Sequence, residues 1–193
     1  MKWVLSIFCL IAVAMDCNAD QSTAVTLESE VAAAKAAIKE VAGTLQGELK
    51  AAMQSGGPVE AIAVCSTRAM PITGQVADDH GLNLSRVSLK NRNPANAANA
   101  WQTAVLEDFE RQRLAGKDAA GLAWSEIASV GGAQEFRFMK AIPTMGVCLA
   151  CHGAELSPQV TEALAEIYPQ DRATGFKQGD IRGAFVVTRQ LTN

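Results

Sequence analysis

The sequence predicts an α+β domain built on an antiparallel sheet. Two observations carry this. Apolar residues recur at helical spacing through the first part of the chain, and stretches of strand character cluster towards the C-terminus. Two of those stretches, Leu122 to Val130 and Glu135 to Ile142, are separated by Gly131-Gly132, a turn signal between strands. With 193 residues and 49% apolar side chains, the chain has enough sequence for one domain with a core. Its formal charge of -3 offers no footing for nucleic acid or an anionic membrane.

The elements follow in order. Met1-Lys2, the apolar run Trp3 to Met15 and the small-residue site Cys17-Asn18-Ala19 read as a signal peptide over residues 1–19. This leaves a single domain over 20–193 with a periplasmic destination. The apolar run is shorter than the roughly 20 residues a membrane span needs. Thr26 caps a helix from Leu27 to Met53, with Val31, Ala34, Ile38, Val41, Leu45 and Leu49 along one side. At 1.5 Å per residue this helix is on the order of 40 Å long. It either lies across its own sheet or packs on a second subunit, making a homodimer. Gly56-Gly57 ends it, and Pro58 opens a second helix that stops before Pro71. Asp78 to Gly81 is a turn, Leu82 to Leu89 a strand and Asn91 to Asn99 a polar loop. A helix from Trp101 to Ala115 precedes the strand pair. A helix from Ser157 to Ile167 and a strand over Gly183 to Thr188 close the chain.

Cys148-Leu149-Ala150-Cys151-His152 carries the chemistry. C-x-x-C-H is the pattern of covalent c-type haem attachment, so one haem c is the expected cofactor. Two thiols one short turn apart can add to the two vinyl groups of one porphyrin, and His152 is then placed to ligate the iron. Of five cysteines, Cys9 and Cys17 fall in the signal peptide, which leaves Cys65 without a disulfide partner. Cys65 is either a packed thiol or a second axial ligand. His80, Met53, Met70, Met139 and Met145 are the other candidate ligands. Without haem, Cys65, Cys148, Cys151 and His152 would make a Cys₃His zinc set, or the C-x-x-C pair a redox dithiol. The export signal and the C-x-x-C-H pattern favour haem. Phe136, Phe138, Ile142 and Met145 are candidates to line its slot. Arg86, Arg92 and Arg182 suit its propionates, because a guanidinium pairs bidentately with a carboxylate. No distal His–Arg acid/base pair is visible and His80 is the only spare histidine, so the chain does not read first as an enzyme, and a peroxidase-like side activity stands as a third, weaker reading.

Five segments in order carry a family resemblance: Ala61 to Cys65; Arg86-Val87-Ser88-Leu89-Lys90-Asn91-Arg92-Asn93-Pro94-Ala95-Asn96; Cys148 to Gly153; Tyr168-Pro169-Gln170-Asp171-Arg172-Ala173-Thr174-Gly175; and Gly179 to Ala184. The chain resembles a single-haem c-type family long known as a domain of unknown function, whose fold is similar to PAS sensor domains. The resemblance implies a PAS-like antiparallel sheet with a long N-terminal helix and flanking helices. It also implies axial ligation by His152 and Cys65. A thiolate ligand favours ferric iron, which implies a low potential. The function expected is a redox- or gas-responsive sensor for CO or NO. Low-potential electron transfer to a redox partner protein is the alternative.

Overall fold

The computed structural model describes residues 26–191, so the expected signal peptide lies outside them. Helix α1 spans Leu27–Asp79, followed by strand β1 (Asn83–Val87), helix α2 (Ala100–Leu114), strands β2 (Ala123–Val130) and β3 (Ala133–Pro143), helices α3 (Leu149–His152) and α4 (Pro158–Ile167), and strand β4 (Ile181–Leu191). The α+β class holds. Thr26 caps α1 reciprocally with Ser29: each hydroxyl oxygen accepts the other residue's backbone N–H at 3.1 Å.

The long helix is not straight. Gly57 breaks α1 with φ +70° and ψ -161°, a conformation open essentially to glycine alone. Beyond it the chain doubles back. Arg68 meets Glu48 at 3.3 Å and His80 Nε2 meets Glu40 at 2.9 Å. Residues 40 positions apart would lie about 60 Å from each other in one straight helix. Helix α1 is therefore an antiparallel pair of arms turning at Gly56-Gly57. The second arm provides the cover for which a second subunit was one candidate.

The expected stop before Pro71 is wrong, since the second arm runs on to Asp79. A proline inside a helix costs about 3 kcal/mol. Beyond Pro71, Ile72, Val76 and Ala77 are buried against the sheet. Each Ile or Val so buried contributes about 1.5–3 kcal/mol, which outweighs the break. Local propensity loses to packing.

The sheet has the order β1-β4-β3-β2, with every neighbouring pair antiparallel. Strand parity divides its side chains between two cores. Leu84, Phe136, Phe138, Phe185 and Val187 pack beneath both arms of α1. Val87, Met139, Ala141, Ala184 and Val186 pack with Val105, Leu106 and Phe109 of α2 on the other face. Phe136 and Phe138 thus belong to the main core. A third cluster joins Ile62 of the second arm to Val160 and Leu164 of α4, with Cys151 and Tyr168 against it. This small cluster seats the candidate site on the helical layer. Among the described residues, no helix is long and apolar enough to cross a membrane.

A Cβ at position 57 would meet open space, so Gly57→Ala probes backbone conformation alone. We expect it to lower stability by about 1–3 kcal/mol in urea unfolding, with the m-value kept.

Candidate cofactor site

A short 3-10 turn over Gly146–Cys148 leads into α3. The three-residue spacing puts Cys148 and Cys151 on neighbouring parts of one turn. Both thiols are free and half-buried. Gly153 ends the turn, its N–H donating to Leu149 O at 2.9 Å. A Cβ there would lie 2.6 Å from that same oxygen, so the backbone closes here only around glycine.

His152 is fixed on several sides. Its Nδ1–H donates to the Ala173 carbonyl at 2.7 Å, which leaves Nε2 as the nitrogen with the free lone pair. The Arg182 Nε stands 3.3 Å from Nδ1 and 3.5 Å from Nε2, and Phe176 meets the ring edge-on at 6.3 Å. Burial, then the Arg182 and Arg92 cations, push the imidazole down to about 3 despite the Ala173 carbonyl. The ring is neutral at physiological pH.

Arg92 ties the loops together. Its Nε pairs with Asp171 at 3.0 Å, both side chains being nearly buried. Its Nη2 donates to Cys151 O at 2.5 Å and to Ala173 O at 3.3 Å. Asp171 in turn accepts the Ala173 N–H at 2.7 Å. The 91–92, 151–152 and 171–176 segments are further stitched by Arg172 N to Asn91 O, Gly175 N to Gly153 O and Phe176 N to His152 O. Nothing in the pattern reading gave Asp171, Tyr168 or the Ala173 carbonyl a role. The 168–175 motif was the signal available for them.

Cys65 lies on the second arm of α1, eight residues past Gly57. Its surface is exposed, yet the protein around it is dense enough that burial pushes the thiol up. The Arg86 and Arg92 cations oppose that shift and pull it back. Arg86, on β1, is pushed down by burial and up by Cys65 and Tyr168. Burial likewise raises Tyr168. Arg86 is absent from every side-chain hydrogen bond and ion pair found among the described residues. Arg182, by contrast, donates through Nη1 to Ser88 Oγ at 3.2 Å and to Lys90 O at 3.3 Å. All three expected arginines therefore converge on this region, in three different states of engagement.

The remaining candidates sit elsewhere or do other work. His80 bridges the α1 arms through Glu40. Met139 is fully buried in the α2-side core. Met70 and Met145 are exposed and Met53 half-buried. Among the described residues no three of His, Cys, Asp and Glu cluster as a metal site, so the zinc set is not assembled.

A family model described as Tll0287-like matches residues 18–189. The chain belongs to the Tll0287-like family. Among solved structures, the cyanobacterial heme-protein Tll0287 is similar to it with a TM-score of 0.58 and 26% identity, over 86% of this chain and 95% of that one. No curated protein matches. Membership in the Tll0287-like family supports haem binding, and the residues present fit that group. Two free thiols lie one turn apart, a neutral imidazole keeps its Nε2 unprotonated, and among the described residues the half-buried Arg86 guanidinium has no ion-pair partner.

The sign of the His152 effect is fixed by the two states. The unfolded chain binds a proton near the ordinary 6.5, while the folded chain refuses it until about 3. Stability from this group is complete above about 6.5 and declines as pH falls towards about 3. Urea midpoints of cofactor-free protein should fall on acidification, with a shallower fall in His152→Asn.

Proposed function

We propose that this chain is an exported haem domain, with Cys148 and Cys151 as covalent anchors and His152 and Cys65 as the axial ligands. The observation that carries the reading is the setting of Cys65. It is a thiol on a helix, within electrostatic reach of the Arg86 and Arg92 cations and of Cys151 in the C-x-x-C-H turn. The haem supplies an iron that changes charge with redox state and can take a diatomic gas. The chain's residues do the rest. His152, neutral and held by Ala173, offers Nε2 without having to shed a proton. Arg86, with no side-chain hydrogen bond or ion pair among the described residues, is the first choice for a propionate, and Arg92 and Arg182 add positive charge around it.

Function follows from which ligand can leave. His152 is tied to loops that Arg92 clamps. Cys65 is held only by its place on the second arm, and protonation of Sγ weakens it as a ligand. The reading is therefore a redox- or gas-responsive sensor, with CO or NO as the small ligand and movement of the second arm as the output. A second reading is low-potential electron transfer to a redox partner protein. It is favoured by Met145 and Val147, which are 43% and 53% exposed beside the thiols and offer an apolar contact rim.

Two measurements test this. Intact mass of protein from a host that attaches haem should give a chain beginning at Asp20 with one haem added. Unmodified chain would remove the anchors. Optical and EPR spectra of wild type should carry thiolate features that Cys65→Ala loses, and unchanged spectra would remove Cys65 from the site. A ferrous protein that stays six-coordinate and ignores CO would favour the electron carrier.

A further inference from the structure

We infer that Arg182 is a positioning residue for His152. Its guanidinium packs on the imidazole face, sets the plane of the ring and leaves an unneutralised positive charge beside it. The inference rests on the proposed function in taking His152 as an axial ligand, and adds how that ligand is oriented and tuned.

Three observations carry it. The first is the contact itself. Arg182 Nε is nearly equidistant from the two ring nitrogens, at 3.3 and 3.5 Å, as a group above the ring is. Nδ1 already donates to Ala173 O at 2.7 Å, so it has no lone pair for Arg182; Nε2 alone could accept from the guanidinium, and at 3.5 Å it is the farther of the two nitrogens, so packing over the ring dominates the contact. The carbonyl holds one edge of the imidazole, Phe176 stands at 90° to the ring, and Arg182 covers a face. Rotation of the ring is blocked from three directions.

The second observation is how Arg182 is held. Nη1 donates to Ser88 Oγ and to Lys90 O, and Ser88 Oγ donates back to Arg182 O at 2.8 Å. The guanidinium also lies over the Phe176 ring at 5.4 Å. Every one of these partners is neutral, and among the described residues no carboxylate stands at ion-pair distance from Arg182, Asp171 acting on it only from farther away. Its charge is fixed in place and has no direct ion-pair partner.

The third is the backbone beneath it. A Cβ on Gly183 would lie 2.3 Å from Val87 O and 3.2 Å from Ser88 Cβ. The residue after Arg182 thus has no room for a side chain against the end of β1. That approach brings Ser88 within reach of Arg182 and turns an arginine at a strand start into a clamp. A positive charge beside an axial imidazole reduces its donation to the metal and disfavours the ferric state, which raises the reduction potential. A fixed ring plane sets the ferric g-anisotropy.

The test uses haem-loaded Arg182→Gln and Arg182→Lys, with potentials from spectroelectrochemistry and g-values from ferric EPR. In Arg182→Gln the potential should become more negative and the g-values should change. Arg182→Lys keeps the charge without the planar stack, so its potential should stay near wild type while its g-values change. Wild-type g-values in both variants would overturn the inference. So would a shifted potential with unchanged g-values, which assigns Arg182 to a propionate. If spectra survive His152→Ala unchanged, the axial role of His152 fails and this inference with it. If His152 ligation is intact and Arg182→Gln behaves as wild type, only this inference fails.

Discussion

The candidate site depends on one buried ion pair. Arg92 and Asp171 are 79 residues apart in the chain and meet at 3.0 Å, with side chains only 11% and 10% exposed. Three segments converge on this pair: the loop after β1, the short turn and helix bearing Cys148 to His152, and the stretch from Tyr168 to Phe176. A buried ion pair often adds little net stability over an apolar replacement, because desolvation offsets attraction. Its contribution here is register. The fork of a guanidinium can hold a carboxylate and two backbone carbonyls in one geometry, which a lysine or an apolar pair cannot.

The other half of the site is held differently. Cys65 and Arg86 belong to a helix and a strand whose neighbours form the main core. The region therefore has a stiff wall made by the second arm of α1 and β1, facing loops made stiff by Arg92. The small cluster of Ile62, Val160 and Leu164 joins the two halves. At this seam Cys65, Arg86 and Tyr168 lie within electrostatic reach of one another, as the opposing pulls on the three groups show.

Much of the fold was legible because its signals are local. Thr26, Gly57 and Gly131-Gly132 act within a few residues, and each marks a cap, a break or a turn where the structure has one. Pro71 misled because its penalty is local, whereas the burial of Ile72 and Val76 that overrides it is not. The reversal of α1 was half-visible: the break could be read at Gly56-Gly57, but the direction taken afterwards depends on arm-to-arm packing. In the candidate site, residue type and spacing singled out Cys65, Cys148, Cys151, His152 and the three arginines, which the fold brings into one region. How each arginine is engaged was not readable. That depends on Asp171, Ser88, Lys90 O and Ala173 O, none of which has a chemical pattern of its own. For Phe136 and Phe138 the spacing suits a slot lining and a core strand equally, and the structure places both in the main core, since adjacency to the C-x-x-C-H turn says nothing about which face of β3 they occupy.

The doubling back of α1 gives the molecule two poles. Glu30, near the start of the first arm, pairs with Arg189 near the end of β4, and Arg189 also reaches the carbonyls of His80 and Gly81. Both ends of the described chain therefore meet at one pole. The Gly57 turn marks the other, where Pro58 O lies 4.0 Å from Cys151 Sγ. From Glu30 to Glu48, the partner of Arg68, the first arm rises on the order of 30 Å. A tether or fused domain at either terminus would thus grip the protein by the pole away from the thiols. The thiol-bearing end would be left free to face whatever it meets.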